Sequence, residues 1–293
     1  MYDIVQHDHA DELLALSGAY LEKRESENNL PLGLAHTLAR DPYYFGDDPP
    51  LLLSILDSGD PVGVAVRSPP HRIVLSIYDT EIDGAVDRLV QHLQNRKVRV
   101  PGVVGPETEA RCFCSQWIRT SPGCSAIPRK RLRAFESRSV IDVPLAPGSL
   151  RLAETADQRL MARWIAAFSR EATGEEPDPE KADRNAMKYI AERNLYIWED
   201  DGPVSIARQS RAMKNGTNVT MVYTPDALRN RGYATSCVYA LTRKLLADRY
   251  SFCSLFTDLS NPASNRIYQK IGYVPLGDWL EFDFDCAVES ADC

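Results

Sequence analysis

Met221-Val222-Tyr223-Thr224-Pro225-Asp226-Ala227-Leu228-Arg229-Asn230-Arg231-Gly232-Tyr233-Ala234-Thr235 is the stretch that decides how this chain folds. An apolar run ends at Tyr223, a loop with a proline follows, and Ala234, Val238, Leu241 and Leu245 then recur on one face of a long helix. The loop closes on Arg-x-x-Gly-x-Ala. Small residues at Gly232 and Ala234 let an anionic ligand come close to the backbone, and the unpaired N–H groups and dipole of the helix start favour phosphate oxygens. The stretch reads as a phosphate cradle without a lysine. Taken alone, it is equally an ordinary strand-to-helix loop.

A second stretch adds to it: Phe256-Thr257-Asp258-Leu259-Ser260-Asn261-Pro262-Ala263-Ser264-Asn265-Arg266-Ile267-Tyr268-Gln269-Lys270-Ile271-Gly272-Tyr273. Together the two resemble the GNAT acetyltransferase superfamily, in which R/Q-x-x-G-x-G/A is followed downstream by N-x(6)-Y-x-(K/R)-x-G-(F/Y). Asn261, Tyr268, Lys270, Gly272 and Tyr273 fall at matching positions. Within that superfamily the stretch is similar to a bacterial group of two-part predicted acetyltransferases. The resemblance implies acetyl-CoA as donor substrate and no metal. By the same resemblance, Met221, Val222 and Tyr223 end the strand that offers backbone groups to the pantetheine and the thioester carbonyl. Arg229, Asn230, Arg231, Gly232, Tyr233, Ala234 and Thr235 correspond to the pyrophosphate-binding turn, Asn261 to a cofactor contact beyond the next strand, and Tyr268 to the frequent general acid. Two departures stand out: Ala234 replaces the commoner second glycine, and the loop from Pro225 to Gly232 is one residue longer than in compact members.

The chemistry can be stated without the family. An amine attacking a thioester must lose a proton, needs a polarised carbonyl, and leaves a thiolate to be protonated. A tyrosine, with an ordinary pKa around 10, can donate to such a thiolate, so Tyr268 suits the acid role; the competing reading is a core aromatic on one helix face with Ile267 and Ile271. No general base is legible, because the strand residues Val219 to Val222 include no glutamate. Glu171, Glu175 and Glu176 fall in the acidic segment Glu171 to Glu180, which the resemblance places at the border of the acceptor site. They read either as selectors of a cationic amine or as a solvated loop, and a water chain is equally open as the base.

Outward from these motifs, periodicity predicts helices at 156–172 and 180–192, strands at 195–200, 203–212 and 217–224, the long helix after Gly232, a strand at 253–258 and a helix at 262–271. The first half shows the same order: helices over 10–24 and 30–40, strands at 51–57, 62–67 and 72–78, a helix from Ile82, a strand at 100–104 and a helix opened by Pro106. Asp57-Ser58-Gly59-Asp60-Pro61-Val62 echoes Asp200-Asp201-Gly202-Pro203-Val204, with the prolines 142 residues apart in a chain of 293. The expectation is an α+β protein of layered architecture, a tandem GNAT-like fold with a mixed central sheet flanked by helices in each half. A linker over 136–148 divides it into domains 1–140 and 141–293. Where the second half has its cradle, the first has Asp79-Thr80-Glu81-Ile82-Asp83-Gly84, whose acids repel pyrophosphate. The first half is therefore expected to be a degenerate copy without a cofactor site.

Composition limits the alternatives. With 44% hydrophobic and 26% charged residues the chain has enough apolar surface to fold, and no apolar stretch approaches the roughly 20 residues of a spanning helix. The net charge of −7 argues against nucleic-acid and membrane partners. The acid-bearing start, unlike a secretory leader, suggests a cytoplasmic location. Seven cysteines without a C-x-x-C pair are expected to be reduced thiols. His7-Asp8-His9 lacks a third metal ligand, Cys112 and Cys114 point apart on a helix, and the basic run Arg129-Lys130-Arg131-Leu132-Arg133 reads as a solvated face. Asn215-Gly216 reads as a hairpin turn. The function expected is acetyl transfer to a primary amine of a small molecule or peptide, in a ternary complex. A non-catalytic acetyl-CoA sensor or scaffold, and a transferase using another acyl donor, remain alternatives. The oligomeric state is not legible.

Overall fold

The structure, a computed structural model, describes residues 1–174 and 176–286. Among the described residues it divides into two compact units, one of Met1–Ala134, Thr257–Ser260 and 276–286, the other of Phe135–Phe256 with Asn261–Pro275. The units are thus not consecutive halves. The segment after Leu276, which the sequence reading assigned to the second half, completes the first unit.

In the first unit the chain runs β1 (Tyr2–His7), α1 (Ala10–Glu22), α2 (Asn29–Arg40), β2 (Leu51–Asp57), β3 (Asp60–Arg67), β4 (Ile73–Ile77), α3 (Ile82–Asn95), β5 (Gly102–Pro106), α4 (Glu107–Thr120) and β6 (Cys124–Ser137), with β12 (Val274–Cys286) supplied from the far end of the sequence. Strand order is β1-β2-β3-β4-β5-β12-β6. Only β4 and β5 pair in parallel among the neighbours with a resolved register, which α3 makes possible as the crossover. Leu53, Ile55, Leu75 and Ile77 pack with Val86, Leu89 and Leu93 of α3 and Phe113 and Trp117 of α4. The alternate residues Leu52, Val64 and Val66 are buried on the opposite face, which α1 and α2 cover.

β1, β6 and β12 were not foreseen. In β6 the basic run is a solvated strand face, as expected, but a paired one: Arg129, Arg131 and Arg133, at the two-residue period of a strand, meet Asp283 at 2.9 Å and Asp278 at 3.0 and 2.6 Å in β12. The thiol reading needs correction, because Cys124 and Cys286 form a disulfide; Cys112, Cys114, Cys237 and Cys253 are free. Those two cysteines are separated by 162 residues, and only the pairing of β6 beside β12 brings them together.

The second unit contains β7 (Ser149–Leu152), α5 (Gln158–Thr173), α6 (Pro179–Ala191), β8 (Leu195–Glu199), β9 (Pro203–Ser210), β10 (Gly216–Tyr223), α7 (Tyr233–Asp248), β11 (Phe252–Asp258) and α8 (Pro262–Lys270). The strand order is β11-β10-β9-β8-β7, parallel between β10 and β11 and antiparallel elsewhere. Successive residues of β8 go to opposite cores. Tyr196 and Trp198 join Cys237, Leu241 and Leu245 of α7, while Leu195 and Ile197 join Met161 and Ile165 of α5 and Ala182 and Ala186 of α6. The predicted linker is a strap on this unit rather than a free tether. Ile141 N–H donates to Ile271 O at 3.0 Å, Ala146 N–H to Ser236 Oγ at 2.8 Å, and Trp198 Nε1–H to Pro147 O at 2.9 Å.

The Asn215-Gly216 pair does not form a two-residue turn; Gly216 is the first residue of β10, after a loop from Arg211 to Asn215. Its glycine is required by packing, since a Cβ there would lie 2.1 Å from the Phe252 ring on the neighbouring strand. Gly216→Ala should therefore destabilise the protein by about 1–3 kcal/mol in denaturant unfolding. Gly277→Ala, with nothing within 4 Å of the added methyl, should change stability by less than about 0.5 kcal/mol.

Candidate functional site

The site begins where two parallel strands part. β10 and β11 pair only at Gly216–Phe252, Thr217–Cys253 and Asn218–Ser254. At the last pair the buried Asn218 side chain donates from Nδ2 to Ser254 O at 3.0 Å, so the ladder closes on a side chain rather than on the next backbone amide. On its other edge β10 continues against β9, but two residues, Met221 and Val222, stand opposite one between the Thr220–Arg208 and Tyr223–Ile206 pairs. Met221 takes a left-handed backbone with φ of 53°. This bulge turns the end of β10 and leaves one edge of Val219 to Tyr223 without a strand partner.

Past Tyr223 the loop folds into a short 3₁₀ turn, Asp226–Leu228, which accommodates its extra length. Arg229 clamps it. Its Nε donates to Thr224 O at 2.9 Å, and its guanidinium meets Glu171 at 2.7 Å and Asp226 at 2.7 Å. Glu171 lies in the last turn of α5, not in the loop that follows, and so acts here as the carboxylate partner of Arg229. Gly232 then serves as the N-cap of α7 with φ of 84°, a conformation that costs glycine nothing. Neither a side-chain cap nor an acid in the first turn covers the N–H groups of α7. The Tyr233 ring is buried and its hydroxyl donates to Asp200 Oδ2 at 2.6 Å, fixing this end of the helix to the strand region beyond β8.

A cavity of about 450 Å³ opens between these features, within the range of small-molecule sites. Val222 and Tyr223 of β10 line it, as do Arg229, Asn230, Gly232, Tyr233, Ala234 and Thr235 at the start of α7, and Asn261 and Tyr268 from α8 and the residue before it. Glu171 is at its rim. Met221, Arg231 and Glu176 are outside the lining: Met221 shapes the bulge, Arg231 donates to Ala227 O at 3.3 Å, and Glu176 pairs with Arg170 at 2.9 Å. Glu175 lies outside the described residues. The Tyr268 side chain is buried, and burial pushes its phenol up to about 12, so the hydroxyl keeps its proton at neutral pH. Tyr223 is also raised, chiefly by burial.

Residues 203–279 match the family model described as FR47-like protein. Among solved structures, a tandem GNAT protein from the clavulanic acid biosynthesis pathway, determined without acetyl-CoA, is similar over 99% of this chain and 100% of its own, with a TM-score of 0.60 and 11% identity. A Drosophila protein matches over 98% and 99% with a TM-score of 0.65 and 12% identity. A GCN5-related N-acetyltransferase from Sphaerobacter thermophilus matches over 97% and 95% with a TM-score of 0.59 and 14% identity. The chain has the tandem GNAT fold. No curated protein sequence matches it.

Within that tandem fold the two units treat the same helix start in opposite ways. In the first unit Glu81 caps α3, its carboxylate accepting from Gly84 N–H at 2.7 Å. Asp79, with φ of 59°, pairs with Arg24 at 2.7 Å. A carboxylate of the chain itself thus takes the place that an anionic ligand would need, whereas the start of α7 is left open. Four lining residues were missed by the sequence reading: Thr224, Leu228, Arg266 and Ile267. Ile267 and Arg266 precede Tyr268 on α8, and Thr224 and Leu228 flank the Arg229 clamp; each was inside a quoted motif but outside its matching positions. Among the described residues no group of three or more His, Cys, Asp or Glu is placed to hold a metal ion, and no helix is long and apolar enough to cross a membrane. Replacing the α3 cap, Glu81→Ala, should cost the first unit about 1 kcal/mol by chemical denaturation, a loss that Glu81→Asn should largely restore.

Proposed function

We propose that this chain transfers an acetyl group from acetyl-CoA to a primary amine, in the cavity of the second unit. The observation that carries the reading is the uncapped start of α7, facing a ligand-sized cavity at the place where β10 has lost its strand partner. Acetyl-CoA has the chemistry for such a place: pyrophosphate oxygens for the N–H groups of Gly232 to Thr235, and amide-bearing pantetheine for the free edge of β10. The match to the FR47-like model and the tandem GNAT fold support acyl transfer in general; the acetyl donor and the amine acceptor are the reading proposed here.

The donor brings an activated thioester. The chain's part is to hold it, to exclude water and to manage one proton. The amine nitrogen bonds to the acyl carbon, the carbon–sulfur bond breaks, and the electron pair goes to sulfur. Tyr268 donates its phenolic proton to that thiolate and is reprotonated from solvent, while the amine loses its proton to water. A phenol held near 12 stays loaded with its proton at every physiological pH, so no alkaline fall in rate from deprotonation of Tyr268 is expected below pH 10.

One observation favours the sensor reading instead. The only carboxylate lining the cavity, Glu171, is tied to Arg229, and β10 carries no glutamate, so no protein base is at hand among the described residues. An amine panel assayed with acetyl-CoA, following free thiol, separates the two: thiol release that depends on an amine establishes transfer, and tight CoA binding without release from any amine favours the sensor. Longer acyl-CoA donors in the same assay report whether acetyl is preferred. Calorimetric titration with CoA should show one site per chain, lost in Gly232→Glu and retained in Glu81→Ala. Tyr268→Phe keeps the ring and its packing, and should lower kcat at least about tenfold with CoA affinity and thermal stability nearly unchanged. Full activity in that variant would remove Tyr268 from the proton path.

A further inference from the structure

The first unit has a cavity of its own, unrelated to the site above. Its β4 and β5 pair in parallel only at Ile73–Val103 and Val74–Val104. Beyond that point lies a recess of about 160 Å³, open to solvent on the side of Arg24 and Glu27 and close in volume to the roughly 150 Å³ that accommodates benzene. It suits a ligand of about six heavy atoms.

Nearly every polar group around it is already spoken for. Asp278 accepts from Arg133 at 2.6 Å and meets Arg131 at 3.0 Å. Ser76 Oγ donates to Asn28 Oδ1, and the Tyr78 hydroxyl to Tyr20 O. Arg24 pairs with Asp79 at 2.7 Å and with Glu27 at 3.8 Å. Glu109, in the first turn of α4, is different. It is 8% exposed, lines the cavity, and among the described residues makes no ion pair within 4 Å; its carboxyl accepts from its own backbone N–H. A first-turn acid that served only the helix dipole would stay in water, as Glu107 does with Arg111 and Arg131. Burial instead drives the Glu109 carboxyl upward, against the opposing pull of its own N–H and Arg24. A buried carboxyl on the lining of a ligand-sized recess, with no ion pair of its own among the described residues, can take a further hydrogen-bond donor and positive charge.

We infer that this cavity binds a small primary alkylammonium ion, with the ammonium against Glu109 and the alkyl chain against Tyr78, Leu276 and Trp279. An ammonium brings three N–H donors in the least volume, and a positive charge that Arg24, already engaged by Asp79 and Glu27, does not fully supply to Glu109. An anion is disfavoured, because the one arginine at the cavity already faces two carboxylates. This inference is independent of the reaction proposed for the second unit.

The test is calorimetric titration of the full chain with n-butylammonium chloride, with n-butanol as the uncharged probe of similar shape. The expected result is saturable butylammonium binding that is at least tenfold weaker in Glu109→Gln, retained in Glu107→Gln, and retained in Gly232→Glu, whose change lies in the other unit. Butylammonium, and not butanol, should also raise the melting temperature of the unaltered protein, a readout that needs no variant to fold. Equal binding by Glu109→Gln, equal binding of butanol, or no saturable binding at all would overturn the inference. Binding lost in Gly232→Glu but kept in Glu109→Gln would assign the amine to the second unit's cavity instead.

Discussion

The parting of β10 from β11 after Asn218 is the constraint on which the second unit depends. A parallel pair that separates leaves backbone N–H and C=O groups without partners, and such groups are tolerated only where water or a ligand can reach them. Asn218 makes the separation affordable at its first step by donating its side-chain amide to Ser254 O. The bulge at Met221 and Val222 then turns β10 away, so that Tyr223 delivers the chain into a loop whose end is the bare start of α7. Arg229 holds that loop from the side, through Thr224 O, Asp226 and Glu171. Opening the strands, baring the helix and clamping the loop are therefore parts of one arrangement.

The first unit shows what the same arrangement does when its electrostatics are reversed. The β4–β5 ladder is also short and also followed by a helix start, yet Glu81 supplies an oxygen to Gly84 N–H and Arg24 ties down Asp79. The helix no longer needs an anion from outside. Nor is the space beyond the short ladder wholly filled. Tyr78, stacked on Tyr20 at 4.0 Å, lines it together with Arg24 and the carboxylates of Glu27, Glu109 and Asp278. At the two corresponding helix starts, one unit supplies its own carboxylate and the other leaves the N–H groups bare.

Much of this was legible in the amino-acid sequence because it is local. Strand ends, the glycine with its left-handed backbone at 232, and the spacing from Asn261 to Tyr268 are short-range signals, and the cavity gathers most of the residues they mark. Side-chain pairings that reach across the sequence were not legible. Nothing near Glu171 announces that its partner is Arg229, 58 residues away, so it read as a loop acid. The basic run at 129–133 read as a solvated face, which it is, but its partners went unread because its acids, Asp278 and Asp283, lie on a strand about 150 residues later. That strand had a signal of its own, with Leu280 and Phe282 alternating with Glu281 and Asp283. The proline and glycine at its start, Pro275 and Gly277, masked it.

β12 also bears on the order in which the protein can be made. Leu280 and Phe282 belong to the first unit's core, and β12 pairs with β5 from Trp279–Pro106 to Asp283–Gly102. During synthesis these residues leave the ribosome only after the whole second unit has been translated. Until then the edge of β5 has no strand to pair with, and part of the apolar core is open to water. The second unit, whose strands and helices are all encoded before residue 276, can close first. The amino-terminal unit, although translated first, is thus the one whose core waits on residues translated last.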